Sequence, residues 1–313
     1  MVIDQKYIDK FVRVTSRAAL ASFHLVGKKN KIAADKAAVD SMRSELNQLD
    51  INGQIVIGEG ELDEAPMLYI GEKIGTKNGP HIDIAVDPLE GTNFAAYNLP
   101  GALSVIAIAE KNNLFKAPET YMEKISANVR EKGVVDLDYS VKKNIFNLSD
   151  YLNKNPEDLT ACIMDRPRHK SIIEELYKLK VKIKLITDGD ISGALLVTEK
   201  KYNVDIFLGI GGGPEGVLAA SALDAYECVF QGRFLFDTNN DKIRAKNMGI
   251  KNLKKKYELN EIVSGDSIFC ATGITSGDLL NGIKIRGKNF ISETLVTHKS
   301  SKLKKIIKID EKI

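Results

Sequence analysis

Tryptophan is absent from this chain, and cysteine occurs only three times in 313 residues. Cys162, Cys228 and Cys270 are far apart and each lies in an apolar or strand-like stretch. They read as reduced core residues, not as a disulfide framework or a zinc site. No apolar run approaches the roughly 20 residues needed to span a bilayer. The opening stretch MVIDQKYIDKFVRVTSRAAL carries Asp4 and Asp9 where a secretory signal needs an apolar core, so no such leader is expected. An excess of one charge is also lacking. The 45 basic and 42 acidic residues leave a net charge of +3, which gives no support to a dedicated nucleic-acid binder. The expectation is a cytoplasmic protein with neither membrane nor nucleic acid as partner.

What is present is ordinary for a globular protein: 43% hydrophobic, 28% charged and 7% aromatic residues. A chain of this length exceeds the size at which single cores stop growing, so two subdomains are expected. Tyr7, Phe11, Val14 and Ala18 recur at helical spacing, and Ala38, Met42, Leu46 and Leu49 repeat the pattern over 33–49. Strands are expected at 54–57, 82–86 and 103–109. The stretch 111–156 reads as loop-rich, with a domain boundary near Asn155-Pro156. Strand and helix then alternate three times (160–164 with 170–179, 184–186 with 191–197, 204–210 with 215–225), the pattern of an α/β layer. The lysine-rich end from Lys299 to Ile313 reads as a solvated terminal strand or helix.

Acidic residues gather where strands end. In DIAVDPLEGT, residues 83–92, the apolar run 82–86 is a strand buried on both faces, and Pro88 is expected to turn the chain. That leaves Asp87, Glu90 and Thr92 at the strand mouth, with Gly91 allowing close backbone approach before a helix whose free amides attract an anion. GEGELDEAP places Glu59, Glu61, Asp63 and Glu64 on a second turn after a strand. A solvated acidic loop is the plainer reading of that turn alone. Two such turns at neighbouring strand ends favour a ligand site, however. Carboxylates about 4 Å apart repel by about 4 kcal/mol at an effective dielectric near 20, so several together need protonation or a cation. Oxygen donors without His or Cys favour Mg²⁺ or Mn²⁺ over zinc.

DIFLGIGGGPEG, residues 205–216, looks like a nucleotide loop but holds Pro214 where G-x-G-x-x-G needs its last glycine. Pro214 suits a helix start, and Glu215 beside it is better read as a further carboxylate facing a metal, with glycines permitting close approach.

In this order, VIGEGELDEAPMLYIGEKIG, DIAVDPLEGT, RPRH, DGD, GIGGGPEG and ATGITSGDLLNGI resemble class II fructose-1,6-bisphosphatase over nearly the whole chain. DP-x-(D/E)-G-T also belongs to the wider lithium-sensitive sugar and inositol phosphatase superfamily. The resemblance implies an α/β, layered α-β-α-β-α sugar phosphatase fold with two subdomains: 1–155 for metal and phosphate, 156–313 for the sugar. It implies metal binding by Asp35, Glu59, Asp87, Glu90 and Glu215 with the Leu89 carbonyl, and more than one Mn²⁺ or Mg²⁺ ion. Thr92 would orient the attacking water. Lys31 and Asp63 match active-site positions. Glu90, Gly91, Thr92, Tyr121, Arg168, His169, Lys170, Asp188, Gly189, Asp190 and Gly212 would contact the sugar bisphosphate.

Within that set, Arg168 and Lys170 suit the phosphate that is retained, and Asp188 and Asp190 suit vicinal sugar hydroxyls. Plainer readings stand beside these: His169 as a packing residue, Tyr121 as a half-buried aromatic, DGD as a loop. The segment 233–248 is shorter than the family pattern, and a homo-oligomer, dimer or tetramer, is expected. The implied activity is metal-dependent removal of the 1-phosphate of fructose 1,6-bisphosphate, with sedoheptulose 1,7-bisphosphate as a second substrate. An inositol-phosphate phosphatase and a non-catalytic dinucleotide- or sugar-phosphate-binding regulator are the alternatives.

Overall fold

A computed structural model describes residues 3–60 and 67–313. The chain divides into two units: residues 1–116 with 263–313, and residues 117–262. The boundary expected near Asn155-Pro156 instead falls inside the second unit, because the C-terminal strands return to the sheet begun by the N-terminal ones. Local sequence pattern carries no trace of that return.

The first unit opens with α1 (Ile8–Phe23) and α2 (Lys31–Leu46), followed by β1 (Asn52–Ile57), β2 (Lys73–Ile74), β3 (His81–Glu90), α3 (Thr92–Tyr97) and β4 (Leu103–Glu110). The second holds β5 (Tyr121–Ala127), α4 (Val141–Leu152), β6 (Thr160–Met164), α5 (Lys170–Lys178), β7 (Lys182–Ile186), α6 (Asp190–Leu195), β8 (Ile206–Gly212), α7 (Gly213–Asp224), β9 (Val229–Phe234), α8 (Asn239–Asn247), β10 (Lys256–Glu258) and α9 (Leu259–Ile262). The first unit then resumes with β11 (Ser267–Gly273), β12 (Lys284–Arg286), β13 (Asn289–His298) and β14 (Leu303–Lys312). Among the described residues no helix is long and apolar enough to cross a membrane.

In the first unit the sheet order is β12-β13-β11-β4-β3-β1-β2, with β14 paired to β13. Only β1 and β3 run parallel; the other pairs are antiparallel. α1 lies on β4, β11 and β13, and α2 lies on α1 and β3. Phe11, Met42, Leu46, Ile55, Ile84, Ile106 and Cys270 share that core. A polar seam crosses it: Thr272 Oγ1 donates to Thr15 Oγ1 at 2.7 Å, and Ser292 Oγ to Ser16 Oγ at 3.0 Å. Paired hydroxyls of this kind avoid the cost of burying an unsatisfied polar atom.

The second unit has the order β10-β9-β5-β8-β6-β7, with β6 parallel to both β7 and β8. Alternation along β5 sends its side chains to two helical layers. Ile125 and Ala127 join Ile145 and Leu148 of α4 and Leu176 of α5. On the other face Ser126 Oγ donates to Ala194 O of α6 at 3.4 Å. The three expected strand–helix repeats appear as β6–α5, β7–α6 and β8–α7.

Two expectations needed correction. The stretch 111–156 contains β5 and α4, not mainly loop. Adjacent Glu123 and Lys124 disguise the strand, whereas the helix is marked by Val141, Ile145, Leu148 and Leu152 at helical spacing and by Ser140, whose Oγ accepts from Lys143 N at 3.1 Å. β3 does not end before Pro88: it continues to Glu90 through a register shift between Asp87 and Glu90, and a bulge of this kind accommodates a residue that cannot donate to the ladder. The three cysteines are free and buried, and burial pushes the Cys270 thiol pKa far up.

Buried Asp266 ties the first unit together. Its carboxylate accepts from Ile3 N and Ser300 N at 2.9 Å and lies 3.0 Å from His298 Nε2. Burial pushes its pKa up, but the bonds from Ser300, His298 and Ile3 outweigh burial and hold it below the ordinary range. A lowered carboxylate pKa contributes stability that is present above the unfolded value and lost as pH falls through the folded one. Asp266→Asn should therefore lose about 2–3 kcal/mol at pH 7 in urea unfolding, and the gap to wild type should narrow below about pH 4. A gap that is constant with pH would contradict the ionised role.

Candidate active site

In the first unit the backbone irregularity of β3 sets the geometry. Asp87 pairs with Val105 and Glu90 with Leu103, so three steps on β3 match two on β4. Residues three apart on a regular strand face opposite ways. Here the extra residue lets Asp87 and Glu90 stand opposite Val105 and Leu103, which share one face of β4. Glu90 is only 4% exposed and Asp87 is half-buried. The Leu89 carbonyl, the expected extra metal ligand, lies within the bulge on a buried residue.

β1 brings Glu59 alongside. Ile57 pairs with Ala85 in the parallel ladder, so Glu59 and Asp87 each lie two residues further along neighbouring strands. Glu59 N donates to Leu68 O at 3.0 Å, which pins the backbone there. Asp63 lies outside the described residues.

Asp35 and Lys31 arrive on α2, one turn apart on the same face. Asn30 caps that helix, its side chain accepting from Ala33 N at 3.0 Å. The preceding loop is bonded to α3: Gly27 N donates to Ala95 O and Lys29 N to Ala96 O, each at 2.9 Å. GKKNK is thus a clamp that holds the start of α2 against α3. Lys31 is exposed, its Nζ 6.0 Å from the Tyr97 ring centroid, while burial alone raises the pKa of half-buried Asp35. Gly91 takes a left-handed conformation, φ 78°, at the cap of α3, which delivers Thr92 as the first helical residue.

In the second unit, Tyr121 opens β5 opposite Gly212 of β8. The Arg168 guanidinium lies 4.8 Å from the Tyr121 ring centroid, and Arg168 Nε donates to Ile210 O at 2.9 Å. These contacts fix the guanidinium plane and bring Tyr121, Arg168 and Gly212 together. Lys170 is a surface cation, 81% exposed and 3.9 Å from Glu174 on its own helix. Arg166, which the sequence reading quoted in RPRH but gave no role, lies 4.0 Å from Asp188.

His169, expected to contact the sugar bisphosphate, has both ring nitrogens engaged with backbone. It is fully buried, with Nδ1 2.7 Å from Met164 O and Nε2 accepting from Ile210 N at 2.7 Å. Those partners select the neutral ring that donates from Nδ1, and burial lowers its pKa accordingly. His169 joins the end of β6 to β8, the contacts of a packing residue. RPRH alone could not distinguish a pocket residue from a strand brace.

Gly189, at φ 84°, caps α6 and separates half-buried Asp188 from Asp190, which is 8% exposed. Asp190 bonds to Lys124, a lysine only 1% exposed whose Nζ also donates to Gly212 O at 2.6 Å. Lys124 was missed from sequence, although its place between Met122 and Ser126 on an inward-facing strand register was the available signal. Glu215 lies in the first turn of α7, capped by Gly212 and preceded by Pro214. Burial raises its pKa, Lys124 opposes the rise, and Asp190 adds to it. A methyl on Gly211 would overlap the Asp190 carboxylate, and one on Gly212 would overlap that of Glu215. The glycine run therefore makes room for acids, an arrangement hostile to a dinucleotide pyrophosphate.

The donor set is oxygen only, and burial raises the pKa of two of its members, Asp35 and Glu215, which fits a hard divalent cation. Among the described residues no three acidic, His or Cys side chains stand close enough to hold an ion as they are. Asp35, Glu59, Asp87 and Glu90 belong to the first unit and Glu215 to the second.

The model for the family described as bacterial fructose-1,6-bisphosphatase, glpX-encoded, matches residues 5–311. The fructose-1,6-bisphosphatase 1 class 2 of Escherichia coli (strain K12) is 42% identical over 307 residues, 94% of this chain and 91% of that protein. The D-fructose 1,6-bisphosphatase class 2/sedoheptulose 1,7-bisphosphatase of Synechococcus sp. (strain CC9902) is 41% identical over 308 residues, 94% of this chain and 92% of that one. Among solved structures, inositol monophosphatase from Anabaena (Nostoc) sp. PCC 7120 covers 62% of this chain and 71% of its own, at 12% identity and a TM-score of 0.33. That likeness is too distant to add to the fold described above.

A raised carboxyl pKa means the native state favours the protonated form. Its contribution is whole below the unfolded value and is lost as pH rises through the raised folded one. In the presence of EDTA, Glu215→Gln should thus gain stability relative to wild type as pH is raised from about 4 to about 8, read as the difference in thermal midpoints. A difference that stays flat across that range would mean burial is not the dominant influence on Glu215.

Proposed function

Because the chain belongs to the glpX-encoded bacterial fructose-1,6-bisphosphatase family, we propose that it hydrolyses the 1-phosphate of fructose 1,6-bisphosphate. The products are fructose 6-phosphate and phosphate. Sedoheptulose 1,7-bisphosphate, named for the Synechococcus relative, is the second substrate of this reading. The observation that carries it is the bulge that turns Asp87 and Glu90 to one side of β3 just before Thr92. A metal-dependent phosphatase needs carboxylates and a hydroxyl in that order at a strand end. A cytoplasmic step of gluconeogenesis is the setting the reading implies.

We assign Asp35, Glu59, Asp87, Glu90 and Glu215, with the Leu89 carbonyl, to hold the divalent cations, Mg²⁺ or Mn²⁺. When bound, such ions neutralise phosphate oxygens and ease deprotonation of the attacking water. The Thr92 hydroxyl orients that water in line with the sugar oxygen that leaves, and the Gly91 and Thr92 amides hold the phosphate being cleaved. Lys31, on the exposed start of α2, contributes positive charge near the phosphate. In the second unit Arg168, steadied on Tyr121, and Lys170 meet the retained phosphate, while Asp188, Gly189, Asp190 and Gly212 meet the sugar. His169 braces the strands that carry these groups.

A panel of phosphate esters assayed with Mg²⁺ and with Mn²⁺ tests the reading: fructose 1,6-bisphosphate should be preferred over inositol monophosphate. No preference between them sinks the substrate assignment. Glu90→Gln should lower kcat by about 100-fold or more with the fold intact, since it removes ligand charge. Thr92→Ala should lower kcat with near-normal metal affinity, and a selective rise in KM would instead make Thr92 a binding residue.

A further inference from the structure

We propose that Lys124 is a positioning residue for sugar recognition: it holds the Asp190 carboxylate in place and aims one of its oxygens at a substrate hydroxyl. The inference rests on the sugar-bisphosphate reading above and deepens it. Lys124 is the charged residue at the middle of β5, 1% exposed. Its cross-strand neighbours are Gly209 on β8 and Gly232 on β9, so neither brings a side chain against it. The Lys124 stem passes over Gly216 of α7, where an added methyl would lie 3.5 Å from Lys124 Cδ. Its ammonium reaches Asp190 Oδ2 and Gly212 O, the latter at 2.6 Å.

The ammonium fixes the Asp190 carboxylate. A carboxylate this deeply buried turns toward water unless a cation holds it. Lys124 engages one oxygen and is itself held by the Gly212 carbonyl, which restricts rotation of the pair. The other oxygen, Asp190 Oδ1, is buried and has no hydrogen-bond partner among the described residues. A buried acceptor in that state takes a hydroxyl donor readily, and it penalises any ligand that cannot supply one. Gly189 and Gly211 complete the arrangement. The first delivers Asp190 at the start of α6, and the second leaves the space its carboxylate occupies.

Lys124 touches no substrate in this account; it acts through Asp190. The test measures KM and kcat for fructose 1,6-bisphosphate and inhibition by fructose 6-phosphate and by inorganic phosphate, in wild type, Lys124→Met, Asp190→Asn and the double variant. Lys124→Met should raise KM and weaken fructose 6-phosphate inhibition by about tenfold each, and leave inhibition by inorganic phosphate unchanged. The double variant, which buries no charge at this pair, should be no worse than Asp190→Asn alone. That comparison holds even if Lys124→Met fails to fold.

A folded Lys124→Met with unchanged KM, or losses that simply add in the double variant, would overturn the inference while leaving the enzymatic reading intact. A wild-type protein that does not turn over fructose 1,6-bisphosphate would overturn both.

Discussion

Carboxylates held away from water are the constraint around which both units are built. The chain meets it in two ways. At Asp266 and Asp136 hydrogen-bond donors outweigh burial and the pKa falls: Asp266 has Ser300, His298 and Ile3, and Asp136 has Lys256, the Asp138 amide and Gln231. At other acids burial wins. Asp35 is raised by burial alone, Asp83 despite the Leu114, Asn112 and Asn113 amides, Glu123 despite Arg233, and Glu215 although Lys124 opposes it. Two of these raised acids, Asp35 and Glu215, belong to the proposed phosphatase site, where burial leaves a demand for positive charge that a divalent cation would meet.

Backbone devices bring the acids to their places. An extra residue at Pro88–Leu89 turns Asp87 and Glu90 to a common side of β3. Missing side chains at Gly211 and Gly212 leave room for Asp190 and Glu215. The loop before α2, bonded to Ala95 and Ala96, holds Asp35 and Lys31 by α3. Each of these devices converts a local irregularity, which weakens a strand or helix on its own, into the placement of a charged group.

Much of this was legible in the sequence, and the failures have physical causes. α1 and α2 follow from periodicity, because each buries one face, and the strand–helix alternation from β6 to α7 follows from short apolar runs, β6 and most of α7 being buried on all sides. β5 was obscured because its inward positions include Lys124, a charge made tolerable by Asp190 and the Gly212 carbonyl, each more than sixty residues away. The unit boundary was misplaced because β11 pairs with β4 across the whole second unit, and such a pairing leaves no local mark. His169 belongs to a motif that reads as ligand-binding, yet its contacts brace backbone. Pro88 suggested a turn, and only the register with β4 reveals a bulge. Asp63 lies in the one internal stretch outside the described residues.

The central claim is that Asp35 and Glu215, both raised by burial, await a divalent cation, and thermal unfolding of the wild-type protein with and without Mn²⁺ or Mg²⁺ tests it most directly. Binding to the native state at about 100 times Kd adds about 2.7 kcal/mol. The account predicts a midpoint that rises with either ion at pH 7.5, reverses with EDTA, and rises less at pH 5, where protons compete for the same oxygens. A midpoint indifferent to both ions at pH 7.5 would contradict it.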